Sequence, residues 1–324
     1  MKVCGAVIAM MAMFSVYGLT VLDKIGATSF EDACHKGADA RVMFRILNDV
    51  GCPVAGAKVN VFFDMADRGD GHRVIWIADT NGVCVVKGKT VGVLKIEVSC
   101  DGHYLTRDDI CFITMGHEHE VKNGKWQPWG MAKEIVLRPI RDPVALKSES
   151  NWRRTTVLNE WIGFDLEKCD FVAPVGQGKV CDLEVKFDWD GMFGTKHNGM
   201  AVSLKFPQKF SGGYYAQRCG WSTFTGVYAA DPDKAYSQSF QYYRRPIRDS
   251  KGKMIGVDGE GFDQSKVLVV RSRCVVDEKG NLVSAHYFEL ERFEFSCNRK
   301  KTASLTYDLI YNPTPNDTNL EPKR

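Results

Sequence analysis

ARVMFRILND (40–49) and GAKVNVFFD (56–64) open the stretch that decides the fold. RVIWIAD (73–79), VCVVKG (83–88), VLKIEVSC (93–100), DICFITM (109–115) and AKEIVLRPI (132–140) complete it. Each run is rich in β-branched or aromatic residues and is bounded by Gly, Pro, Asn or Asp, the residues of turns. No 3.6-residue periodicity is sustained and no helix-length segment separates the runs. The pattern therefore predicts an antiparallel β-sandwich and argues against a parallel βαβ sheet.

Within that stretch, Asn48-Asp49-Val50-Gly51-Cys52-Pro53-Val54-Ala55-Gly56-Ala57-Lys58-Val59 is followed by Asp79-Thr80-Asn81-Gly82 and later by Gly102-His103-Tyr104. Gly51 and Pro53 suit a turn, Gly56 lets the chain enter the next strand, and Asn81-Gly82 suits a tight hairpin. These segments resemble the carboxypeptidase regulatory-like domain, whose implied fold is a transthyretin-like sandwich of seven strands and Ig-like size. The resemblance covers residues 36–141 and implies an accessory or display module with no active site of its own.

Arg138-Pro139-Ile140-Arg141-Asp142-Pro143 changes the texture, and the polar stretch after it reads as a linker over 142–160. Strand-like runs resume in KVCDLEVKFDW, GMAVSLKF, STFTGVYAA, SQSFQYYRR, KVLVVRSRCVV, AHYFELERFEF and SLTYDLIY. They predict a second β-sandwich or jelly roll over 161–311, so the chain as a whole is expected to be all-β. The Pro-rich, polar residues 312–324 read as an extended or unstructured tail.

At the N-terminus Lys2 precedes an uncharged stretch from Val3 to Leu22, the pattern of a signal peptide or an uncleaved membrane anchor over residues 1–22. The expected location is outside the cytoplasm: periplasmic, cell-surface or secreted. Ten cysteines follow this leader, and Cys169 with Cys181 and Cys100 with Cys111 bracket turns, so these are the disulfide pairs the sequence suggests; buried free thiols are the alternative. No C-x-x-C pair occurs, which removes zinc-ribbon and thioredoxin-like sites. The 324 residues carry 43 Lys+Arg against 40 Asp+Glu with no basic run, which argues against a nucleic-acid partner.

Candidate chemistry is sparse. His117 and His119 alternate along a run and would face one side of a strand, where they could share a metal, but no third ligand stands nearby. No cofactor is expected. Arg68-Gly69-Asp70 spells an adhesion tripeptide that a turn alone explains. Loop aromatics are the binding candidates: Trp126 and Trp129 around Pro128, Tyr214 with Tyr215, and also Trp189, Trp221, Tyr242 and Tyr243. A glycan or another envelope protein is the partner they suit. The functional expectation is an exported β-sandwich protein with a binding or structural, accessory role. The alternative is a secreted hydrolase with Asp188, Asp190 or Glu260 as acid or base.

Overall fold

The computed structural model describes residues 27, 29–65, 71–113, 121–189, 200–251, 253–297 and 302–323. It falls into two compact units. The first runs through Ile140 and takes in Trp221–Thr223; the second comprises Arg141–Gly220 and Phe224–Arg324.

In the first unit each of the seven expected runs overlaps a strand: β1 (Ala38–Asn48), β2 (Lys58–Phe63), β3 (His72–Ile77), β4 (Val83–Thr90), β5 (Val93–Ser99), β6 (Thr106–Cys111), which takes in only the first three residues of the run 109–115, and β9 (Met131–Leu137). Two short strands, β7 (Val121–Lys122) and β8 (Lys125–Trp126), join them. One sheet has the order β4-β1-β8-β7 with β9 also paired to β1, and the other the order β3-β2-β5-β6. Alternation along β1 and β2 buries Val42, Phe44, Ile46, Val59, Val61 and Phe63 between the sheets, which is the burial that drives this fold. The sandwich is not wholly antiparallel as expected. β9 lies parallel to β1, from Val42 opposite Met131 to Asn48 opposite Leu137, because the last strand returns beside the first.

A short helix, α1 (Phe30–Lys36), precedes β1. Ser29 caps it, its Oγ accepting from the Asp32 amide at 3.1 Å.

The second unit is also a sandwich. One sheet orders β12 (Asp170–Phe171), β11 (Trp161–Asp165), β13 (Leu183–Trp189), β14 (Met200–Lys205), β16 (Ser239–Arg248) and β17 (Met254–Glu260). The other orders β10 (Lys147–Thr155), β20 (Ala303–Tyr311), β19 (Leu282–Cys297), β18 (Lys266–Val276) and β15 (Gly212–Gln217). Phe164, Phe171, Phe187, Phe288, Phe293 and Tyr307 fill the space between them. A smaller cluster, including Val267, Val269, Tyr287 and Leu320, covers the other face of β18 and β19.

One boundary differs from the sequence reading. The expected linker 142–160 holds β10, whose nine residues pair with β20 from Lys147–Tyr311 to Thr155–Ala303; polar outward residues masked a strand buried on only one side. Of the two readings of the tail, extended or unstructured, the contacts of Leu320 and Glu321 fit the first. The Glu321 carboxylate accepts from the Arg141 and Asp142 amides at 2.9 and 2.8 Å, and Leu320 is buried. The expected disulfides do not form. Cys100, Cys111, Cys169 and Cys181 are in no disulfide, with Cys169 Sγ donating to the Leu166 carbonyl and Cys181 Sγ to that of Leu183.

Candidate functional site

Of the binding aromatics expected from sequence, Trp126 is a core residue. It is 1% exposed, its Nε1 donates to the Thr90 carbonyl at 2.8 Å, and it stacks on Phe112 with Phe30 edge-on. Pro128 does not hold it outward, because β8 carries the indole into the sandwich before the proline interrupts pairing. Trp129 is half-buried under the Lys125 ammonium, 4.9 Å from its ring. Tyr214 packs edge-on to Tyr236 and its hydroxyl accepts from the Asp231 amide. Tyr215 and Tyr242 share a hydroxyl hydrogen bond at 2.6 Å, and burial pushes both phenols above their ordinary range. Trp126 and Tyr242 thus pack the sandwiches, while Trp129, Tyr214 and Tyr215 are half-buried. His117, His119, Asp190 and the Arg68–Asp70 tripeptide lie outside the described residues. Among the described residues no group of His, Cys, Asp and Glu is placed to hold a metal.

Of the carboxyls proposed for hydrolysis, Asp188 and Glu260 are described, and these two do not converge. Asp188, Ala201, Tyr243 and Glu260 stand opposite one another in a row across β13, β14, β16 and β17. Three strand spacings of ~4.8 Å put Asp188 and Glu260 about 14 Å apart, beyond the roughly 5–10 Å over which two carboxyls act on one glycosidic bond. Asp188 is moreover ion-paired to Lys186 at 2.7 Å. Asp188 and Glu260 therefore do not form the acid and base pair of a hydrolase.

The densest charge in the second unit surrounds Arg273. Its Nη2 reaches Asp165 at 2.7 Å and Asp182 at 3.1 Å, and its Nη1 reaches Glu167 at 2.7 Å. Asp165 also accepts from the amides of Glu167, Lys168, Lys179 and Val180. Burial pushes Asp165 up, but those amides together with Arg273 bring it below the usual carboxylate range. For Asp182, burial outweighs Arg273 and leaves it raised. The two carboxyls thus shift oppositely although both touch one guanidinium; the extra backbone donors at Asp165 account for the difference. The ring Nδ1 of His286 lies 3.5 Å from Glu167, and burial lowers this histidine. Both aspartates are fully buried and their bonds are made, so this cluster holds strands together and presents nothing to a substrate.

An open, chemically uncompensated site lies instead on the first unit, on the outward face of sheet β3-β2-β5-β6. Strand alternation sends Val59, Val61 and Phe63 inward and Lys58, Asn60 and Phe62 outward. Register then builds two rows across the sheet: Ile75, Asn60, Glu97 and Arg107 in one, and Arg73, Phe62, Lys95 and Asp109 in the next. The segment at Trp221 borders β6, with the Arg107 amide donating to the Trp221 carbonyl at 2.9 Å and the Thr223 amide to that of Leu105 at 2.7 Å. Trp221, 65% exposed, thereby helps line a groove of about 530 Å³ that contains Phe62 and Asn60.

Charges along this groove divide into satisfied and spare. Arg107 pairs with Glu97 at 3.0 Å, and Lys133 with Asp108 at 2.9 Å. Arg73 and Lys95 flank Phe62 with their charges 5.9 and 5.7 Å from its ring centre, and among the described residues neither makes an ion pair. Asn60 Oδ1 is buried and accepts no hydrogen bond from any described residue. Gly71 lies against the ring, since a Cβ there would come 2.0 Å from Phe62. Chemically the groove offers one aromatic platform, two cations on either side of it, one vacant acceptor and an exposed indole.

Sequence reasoning reached only Trp221 in this set. The signal for the rest was parity: in GAKVNVFFD, Phe62 falls on the same side as Lys58 and Asn60, an aromatic on the polar face.

No known family profile matches the sequence, and no curated protein matches it. Part of the chain is similar to solved dioxygenases. Hydroxyquinol 1,2-dioxygenase from Pseudomonas putida is 16% identical over 32% of this chain and 57% of that one, with a TM-score of 0.24. Chlorocatechol 1,2-dioxygenase from Pseudomonas putida is 14% identical over 32% and 61%, at 0.27. 3-Chlorocatechol 1,2-dioxygenase from Rhodococcus opacus is 11% identical over 32% and 61%, at 0.26. This chain spans less than two thirds of each of them. The structures matched are those of enzymes, against the expectation of a binding or structural accessory role; at these scores and coverages no role, reaction or substrate carries over to this chain.

Proposed function

We propose that the chain handles a small organic acid bearing a ring, taken up in the groove of the first unit. The observation that carries this reading is Phe62 set between Arg73 and Lys95, which form no ion pair with any described residue, one row from an Asn60 Oδ1 that accepts from none of them. A ring lies on Phe62 and against Trp221, a carboxylate reaches the two cations, and a hydroxyl or N–H donates to Asn60. An aromatic acid and a uronic-acid sugar both carry these groups. Each charge-assisted contact of this kind contributes about 1.5–3 kcal/mol. The apolar stretch at 3–22 supports export, and the positive backbone angles at Gly51, Gly56 and Gly82 support kinship of this unit with the carboxypeptidase regulatory-like domain.

Trp221 provides the test. Titration with benzoate and with glucuronate should quench or shift its emission saturably, and the double substitution Arg73→Ala, Lys95→Ala should weaken binding by roughly 10- to 100-fold per lost contact. Asn60→Leu should weaken a hydroxylated acid more than its deoxy analogue. Unchanged affinity in the double variant would sink the reading.

A further inference from the structure

The second unit carries an independent feature in β19. This strand has sixteen residues, Leu282–Cys297. Residues 282–290 pair with β18 and residues 288–297 with β20, so the strand has two neighbours over 288–290, and the pairing with β18 ends at Leu268 opposite Leu290. Beyond that point, from Arg292 opposite Asp308 to Cys297 opposite Ala303, β20 is its one partner among the described residues. On the other side no described residue pairs with the main chain of residues 292–296, so among the described residues it is an edge at which every second residue directs its N–H and C=O away from β20.

That edge does not face open solvent on a convex surface. It borders a cleft of about 560 Å³ whose opposite wall is Gly259, Gly261 and Gln264. Phe262, Phe293 and Phe295 form its floor, all continuous with the core, with Tyr242 ring centres 6.0 to 6.4 Å from theirs. At the two glycines that wall carries no side chain, so a backbone can approach it closely there. Natural sandwiches usually blunt such an edge with a bulge, a proline or lysines. The bulge in β19 lies before this stretch, between Leu290 and Arg292, and residues 292–296 hold no proline or lysine.

Charge narrows the occupant. Arg292 is neutralised by Asp308, with Nε–Oδ2 at 2.9 Å, and Ser296 is bonded to Ser304. Glu294 stands opposite Thr306 and is exposed, which makes it the spare charge on the edge. We infer that this edge accepts an extended peptide strand by main-chain pairing, with alternate apolar side chains seated on Phe262, Phe293 and Phe295 and a basic side chain beside Glu294.

The probe is a labelled synthetic peptide of about eight residues that alternates valine with threonine and carries one central lysine. Anisotropy with the full chain should show saturable binding. N-methylation of alternate amides along one edge of the peptide should abolish it, while methylation along the other edge leaves it intact. Bound peptide should also slow hydrogen exchange at the amides of 292–296. Glu294→Lys, at an exposed position that leaves the melt unchanged, should invert the preference between a lysine and a glutamate peptide by about tenfold or more. Absence of saturation up to about 1 mM, or equal binding of both methylated peptides, overturns the inference.

Discussion

Arg273 has a left-handed backbone, φ 53°, at the point where the β18–β19 register shifts. That irregularity aims its guanidinium at Asp165, Asp182 and Glu167. Arg273→Ala leaves two buried carboxyls without their cation, so thermal or chemical denaturation should show a loss of about 3–5 kcal/mol. His286 gives a pH dependence of definite sign. Its pKa is lowered from 6.5 in the folded state, so the unfolded chain binds the proton first. Stability should therefore decline as pH drops below that value, down to the folded pKa. Asp165, depressed below 3.8, holds its contribution until stronger acid, and Asp182, raised, opposes it there. A His286→Gln variant should flatten the melting-temperature profile between about pH 5 and 7; an unaltered slope would assign that dependence elsewhere.

At the level of elements, the β3–β4 turn shows what a short motif can specify. Asp79 Oδ1 accepts from the Asn81 and Val83 amides, both at 2.9 Å, and Gly82 follows at φ 71° with its carbonyl bonded to the Ile46 amide. A Cβ on Gly82 would lie 2.4 Å from the Ile46 carbonyl oxygen, whereas one on Gly56, at φ 73°, meets nothing within 4 Å. Gly56→Ala should thus cost about 1 kcal/mol from backbone angle alone, and Gly82→Ala distinctly more, compared by urea midpoints. This turn and the seven runs of the first unit were legible in sequence because turn chemistry and alternation are local. The parallel return of β9, the strand hidden in 147–155 and the burial of Trp126 were not, since each depends on a neighbour distant in the chain. The groove is a register effect of the same kind. Nothing adjacent to Phe62 in sequence announces that Arg73 and Lys95 will stand on either side of it.

For the molecule as a whole, the thiols offer a simple check. Burial raises Cys84, Cys169 and Cys274 to about 11, while Cys52 is exposed. In native buffer Cys52 should react with a maleimide faster than Cys84, Cys169 and Cys274, as peptide mapping would show, and denaturation without reductant should release those three. Reductant should leave the melt unaltered, since the described cysteines form no cross-link. The parallel pairing of β1 with β9 also fixes an order of events. Strand β1 is made first, yet Met131, the partner of Val42, emerges only after every other strand of that unit. On the ribosome or in a translocation pore, the first half of the unit must wait with one flank uncovered, so its completion is a late, all-at-once step governed by the arrival of its final segment.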